Sequence, residues 1–136
     1  MTAVQAYLLV AAGSALGGMA RFWMSGFVHR FAGMAFPWGT LSINVLGGLV
    51  IGFFAAMIQP EGGPWAGRAE IRPFFMIGIC GGFTTFSSFS LETLNMVRAG
   101  NPSRAVLYAV ASVVLCLVSV WLGFLTGSSQ VFASRR

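Results

Sequence analysis

Four stretches of predominantly apolar residues, roughly 4–28, 38–58, 74–97 and 105–125, take up nearly all of this 136-residue chain. A helix that crosses a bilayer needs about 20 such residues. Each stretch therefore predicts one span, and the whole chain an all-α membrane protein. Charged residues make up only 8% of the sequence, against roughly 25% in an ordinary soluble domain. All the basic residues are arginines, and with three glutamates the formal net charge is +5. The arginines are scattered along the chain, whereas a nucleic-acid surface gathers its cations into a stripe. Lipid headgroups, and no nucleic acid, are their expected neighbours.

The first stretch has no basic leader, and its apolar run continues past any plausible cleavage point, so it reads as a span and not a signal peptide. The connections are short. Pro37 precedes the second span, Pro60, Gly62, Gly63 and Pro64 mark a turn-rich link to the third, and Gly100, Asn101 and Pro102 turn the chain into the fourth. No segment is long enough for a second domain, so residues 1–136 read as one four-helix membrane domain. Cys80 and Cys116 lie inside spans without metal-ligand spacing and read as small packing residues.

Orientation follows from the arginine bias of the loops. With four spans, one side holds Arg68, Arg72, Arg135 and Arg136; the other holds Arg30, Arg98 and Arg104, and Arg21 too if it reaches outward. The two sides nearly balance. Either the chain inserts both ways up or the position of single charges decides. Gly13 with Gly17, and Gly48 with Gly52, have the small-xxx-small spacing that lets helix backbones approach, within one chain or between two.

Several polar groups sit where hydrocarbon should exclude them. Thr40 and Asn44 are four apart on one face of the second span, and Asn44 serves either as interhelical glue or in a polar path. Tyr108 and Ser112 form a similar pair in the fourth span; an interface anchor and a hydroxyl bonded to its own helix are the ordinary readings. Arg21 costs roughly 2.5 to 3.5 kcal/mol if held at mid-bilayer. It therefore snorkels, bonds another helix end, or draws anions to a vestibule. Glu92, near the end of the third span, reads as interfacial or bonded to hydroxyls.

The third span carries the densest signal. Gly81 and Gly82 each disfavour helix by about 1 kcal/mol relative to alanine, and Thr84, Thr85, Ser87 or Ser88 can cap a restarted helix. The sequence thus predicts a helix broken within the membrane, which is tolerated only where protein or water covers the freed backbone. Such a break offers carbonyls to a cation on one side and N–H groups to an anion on the other. Phe83, Phe86 and Phe89 recur every three residues beside it. A phenyl ring is positive at its edge, so these rings either face lipid or turn edges towards an anion.

Taken together, Gly17, Gly18 and Arg21 in the first span, Trp38, Thr40, Asn44 and Gly47 in the second, and Gly81, Gly82, Thr84, Phe86, Ser88, Phe89 and Glu92 in the third resemble the small fluoride channels of the Fluc type, also called CrcB proteins. The resemblance covers most of the chain. It implies an antiparallel, dual-topology homodimer in the plasma membrane, with two fluoride pores and a structural sodium ion on the two-fold axis. By the family pattern the backbone carbonyls of Gly81 and Thr84 hold sodium. Phe86, Phe89, Asn44 and Ser88 line the fluoride path, with Thr40, Tyr108 and Ser112 along it, and Arg21 faces a vestibule. Many relatives have threonine between the two phenylalanines where this chain has Ser88, which keeps the hydroxyl.

The implied function is passive export of fluoride down its gradient, without catalysis. Two rivals remain at this level. A small dual-topology multidrug exporter needs a buried carboxylate, and none lies in the first span; a non-transporting accessory subunit needs a partner.

Overall fold

A computed structural model of the chain describes residues 1–33, 35–59 and 63–133, except for the side chains of 132 and 133. Pro60, Glu61 and Gly62 of the turn-rich link, and Arg135 and Arg136 of the arginine count, lie outside the described residues. The regular elements among the described residues are all helices, without strands. Helix α1 is Ala3–Ala32 and α2 is Trp38–Met57. Helix α3 comprises Arg72–Cys80, wound with the wider π pattern, and one α-helical turn, Gly81–Phe83; α4 is Phe86–Arg98 and α5 is Pro102–Ala133. Four stretches, with α3 and α4 taken together, are long and apolar enough to cross a membrane.

Local chemistry sets the helix ends. Thr2 accepts a hydrogen bond from the Gln5 N–H at 3.3 Å while the Gln5 side chain accepts from the Thr2 N–H at 2.9 Å. This capping box carries α1 to the start of the chain, beyond the apolar stretch itself. At its other end α1 stops at Gly33, whose φ of 72° costs a glycine little. Between α4 and α5, Gly100 (φ 77°) donates to the Val97 carbonyl at 3.0 Å and Asn101 to that of Met96 at 2.9 Å. That is the paired bonding of a Schellman turn, and Pro102 then opens α5 where a missing N–H does no harm.

Most large apolar side chains point outward. Phe22, Trp23, Phe31, Leu117 and Trp121 are all exposed, and the buried hydrophobic set is small, centred on Leu41, Ile43, Ala56, Ala105 and Tyr108. In water so much apolar surface would drive association; in a bilayer it is the ordinary exterior. What holds the helices together is close approach. Helix α1 lies along α3, and α2 along α5. A Cβ at Gly13 or Gly17 would meet the α3 backbone at Phe74, Gly78 and Ile79, and one at Gly52 would run into the backbone of Val120 and Phe124. Both small-residue pairs thus serve packing within one chain. Gly52→Ala is expected to lower stability in detergent by about 1–3 kcal/mol through overpacking. Gly18, which has open space around it, provides the control: Gly18→Ala should cost nothing measurable in the same thermal melt.

Candidate functional site

The site forms between α3 and α4. Helical winding ends at Phe83; Thr84 (φ −76°, ψ 158°) and Thr85 (φ −150°, ψ 115°) are extended, and α4 begins at Phe86. In continuous helix the Thr85 N–H would go to the Gly81 carbonyl. Here it goes to Asn44 Oδ1 at 2.8 Å, while Asn44 Nδ2 donates to the Thr85 carbonyl at 3.0 Å. One amide therefore matches both backbone groups of an extended residue, as a neighbouring strand would, and buried backbone needs such partners.

The side chains of the two threonines complete the local structure. Thr85 Oγ1 accepts from the Ser88 N–H at 3.2 Å, which makes it the N-cap of α4, and donates to Ser88 Oγ at 3.0 Å. The Thr84 N–H and Oγ1 both donate to the Cys80 carbonyl at 2.9 Å. Arg21 Nη1 reaches the Thr84 carbonyl at 3.3 Å. Of the readings open to Arg21, a hydrogen bond to the end of another helix is the one observed.

The glycine pair has a different role from the one its helix propensity suggests. Gly81 is helical (φ −66°, ψ −37°), and the extended residues come three positions later. A Cβ at Gly82 would collide with the backbone of Ser14, while Gly81 has no such neighbour. Gly82 is therefore small so that α3 can lie against α1.

A cavity of about 400 Å³ opens beside Thr85, lined by Asn44, Thr84, Thr85, Phe86, Phe89 and Ser112 among others, with no charged side chain in its wall. The Phe86 and Phe89 ring centroids are 5.3 Å apart. Phe86 is 77% exposed, so this side of the cavity is open in a single chain. Ser112 is 6% exposed, and its Oγ lies against the Tyr108 hydroxyl one turn back on α5. It does not bond back to the backbone of its own helix.

Thr40 and Tyr108 meet elsewhere, at Glu92. Thr40 Oγ1 donates to one carboxylate oxygen at 2.7 Å and the Tyr108 hydroxyl to the other at 2.8 Å. Tyr108 is fully buried, so it is no interface anchor. Glu92 ties α2, α4 and α5 together and also lines a second cavity of about 350 Å³, with His29, Asn95, Asn101 and Arg104. The Phe89 and Tyr108 rings are 5.2 Å apart, and Phe89 lines the first cavity.

Of the residues singled out from sequence, Asn44, Thr84, Phe86, Phe89 and Ser112 share the first cavity. Thr40 and Tyr108 sit on Glu92, Ser88 on Thr85, Arg21 on the Thr84 carbonyl, and Gly81 at the end of α3. Three contributors were underweighted: Thr85, Glu92 and Cys116, which also lines the cavity. The spacing of Cys116, four residues after Ser112, was the available signal. Among the described residues no group of three or more His, Cys, Asp or Glu could hold a metal.

A family model described as "CrcB-like protein, Camphor Resistance (CrcB)" matches residues 8–124. The fluoride-specific ion channel FluC of Methylocella silvestris is 56% identical over 117 residues, covering 86% of this chain and 88% of that protein. The protein of the same name from Opitutus terrae is 56% identical over 117 residues, with the same coverage. That from Rhodospirillum rubrum is 51% identical over 122 residues, covering 86% and 90%. By name these relatives are channels and not enzymes.

Proposed function

This chain belongs to the CrcB-like family, and on that premise we propose that it is a fluoride channel through which the ion leaves the cell passively across the plasma membrane. The observation that carries the reading is the wall of the first cavity: an asparagine amide, hydroxyls and two phenylalanine rings, with no fixed charge. Fluoride is small and strongly hydrated, so a path must replace its water with donors. O–H groups, the N-terminal end of α4 and positive ring edges are donors of that kind. Without a fixed cation to trap it, the ion can enter and still leave.

We read α3 and α4 as one span broken at Thr84 and Thr85. Two chains in opposite orientations about an axis in the membrane plane would close the open side of the cavity by Phe86 and give two pores; the nearly balanced arginines support this assembly. The family's sodium fits the donors present. The Gly81 carbonyl is freed when the Thr85 N–H turns to Asn44, Thr84 offers a second carbonyl, and both lie at the negative end of α3. Oxygen ligands suit a hard cation. One chain supplies only two, and Arg21 already donates to one of them, so the symmetry-related pair would be needed. Bound there, the ion would pin the two breaks together.

The test is ion release from liposomes. Vesicles holding purified protein should discharge fluoride down its gradient and retain chloride. No fluoride release, or equal release of both ions, overturns the reading.

A further inference from the structure

Hydrogen bonds account for the polar groups of Thr84 but not for its methyl. The N–H and Oγ1 both donate to the Cys80 carbonyl at 2.9 Å, and the Thr84 carbonyl accepts from Arg21 Nη1 at 3.3 Å. The methyl carbon, Cγ2, lies against Gly47 of α2. A Cβ at Gly47 would run into that methyl, while the next nearest atoms, Phe83 Cδ1 and Thr84 Cβ, would be 3.4 and 3.7 Å away. The methyl cannot swing aside, because threonine is stiff at χ1 and rotation would take Oγ1 from the Cys80 carbonyl. Gly47 is buried and lines the first cavity. It follows Asn44 by three residues on one face of α2, so the helix that bonds the Thr85 backbone also receives the Thr84 methyl.

We propose that Gly47 is a positioning residue for the ion path: the gap left by its missing side chain seats the Thr84 methyl and so fixes where the extended pair lies and where α4 begins. The inference rests on reading the first cavity as that path. Asn44 acts on Thr85 through hydrogen bonds, and Gly47 acts on Thr84 through shape. Thr85 Oγ1 accepts from the Ser88 N–H as the cap of α4, so a shift of the pair carries the helix end with it, and also Phe86 and Phe89 in the cavity wall. A methyl added at Gly47 forces Thr84 away from α2, since a packed interior has no room for an extra carbon. Removing Thr84 Cγ2 restores the room. Thr84→Ser keeps the hydroxyl and leaves the added methyl only neighbours near ordinary van der Waals separation.

The measurement uses the full chain in liposomes. Gly47→Ala should cut fluoride release at least about tenfold. Made on top of Thr84→Ser, the same change should alter that variant's own release by less than about twofold, because the two positions share one space. Gly52→Ala controls for general destabilisation, since it overpacks α2 against α5 outside the cavity wall. Its release should stay within about threefold of native. Native release from Gly47→Ala, an equal loss when the change is made on Thr84→Ser, or a loss in Gly52→Ala as large as that in Gly47→Ala overturns the proposal.

A second readout does not depend on flux. In detergent, Gly47→Ala should lower the melting temperature by about 4 °C or more. On Thr84→Ser it should lower it by less than about half as much, the non-additivity of residues in contact. Equal shifts in the two backgrounds overturn the proposal by themselves. If Gly47→Ala yields no folded protein, the double variant should still elute as the native chain does, and a double variant that also fails to fold overturns the proposal. If native protein releases no fluoride while the melts are coupled, the functional reading has failed and the seating of Thr84 on Gly47 stands.

Discussion

Asn44→Leu is expected to abolish fluoride release and to lower stability in detergent by about 2–6 kcal/mol. The figure counts two buried backbone groups left without partners, at roughly 1–3 kcal/mol each. Leucine has the branching and side-chain heavy-atom count of asparagine but no donor or acceptor. Both Thr85 backbone bonds run to this one side chain, at 2.8 and 3.0 Å. Without it the extended pair Thr84 and Thr85 has no reason to stay out of the helix, because the Thr85 N–H would regain Gly81 as its acceptor. Asn44→Asp separates the two bonds. It keeps an acceptor for the Thr85 N–H and sets a carboxylate oxygen against the Thr85 carbonyl, so an intermediate melting temperature is expected. Thermal melts and liposome flux check both variants, and an Asn44→Leu protein with native stability and flux would remove Asn44 as the support of the interruption.

The second large effect concerns Phe86 and Phe89. Isoleucine at either position is expected to reduce fluoride flux about tenfold or more. Contacts that depend on a ring quadrupole are worth roughly 1–2 kcal/mol, and each 1.4 kcal/mol is a factor of ten in rate. Isoleucine preserves apolar bulk but has no positive edge. The two rings lie 5.3 Å apart in the wall of the same cavity, so the double variant should lose more than either single one. Elution volume and melting temperature should stay near native, because isoleucine keeps an apolar side chain at either position. Native flux from both single variants would remove the ring-edge mechanism and leave the hydroxyls and helix end to carry the ion.

Much of the architecture was legible in the sequence because a bilayer admits few solutions. Apolar stretches of spanning length must become helices with their backbone bonds made internally, and four were found. Their ends were less legible. Helix α1 reaches back to Ala3 through the bonds between Thr2 and Gln5, and α5 runs on past residue 125 to Ala133, where hydropathy had already faded. The interruption near Gly81 and Gly82 was read from their poor helix propensity. The structure assigns Gly82 to contact with Ser14 and places the extended residues at Thr84 and Thr85. Propensity describes an isolated helix, and here the deciding partner was another helix.

Glu92 shows the same division. Its neighbours in sequence marked it as a polar residue near a helix end, but its two hydrogen-bond partners come from α2 and α5, 52 and 16 residues away. The sequence by itself determined that this is an all-helical membrane chain with a small set of polar groups inside its spans, because hydropathy, turns and caps depend on residues within a few positions. Only the tertiary structure decided which of those groups meet: Asn44 with Thr85, Glu92 with Thr40 and Tyr108, and Ser112 with an open cavity. Those pairings depend on how each helix is rotated about its axis, and that rotation is set where Gly13, Gly17, Gly52 and Gly82 allow backbones to touch.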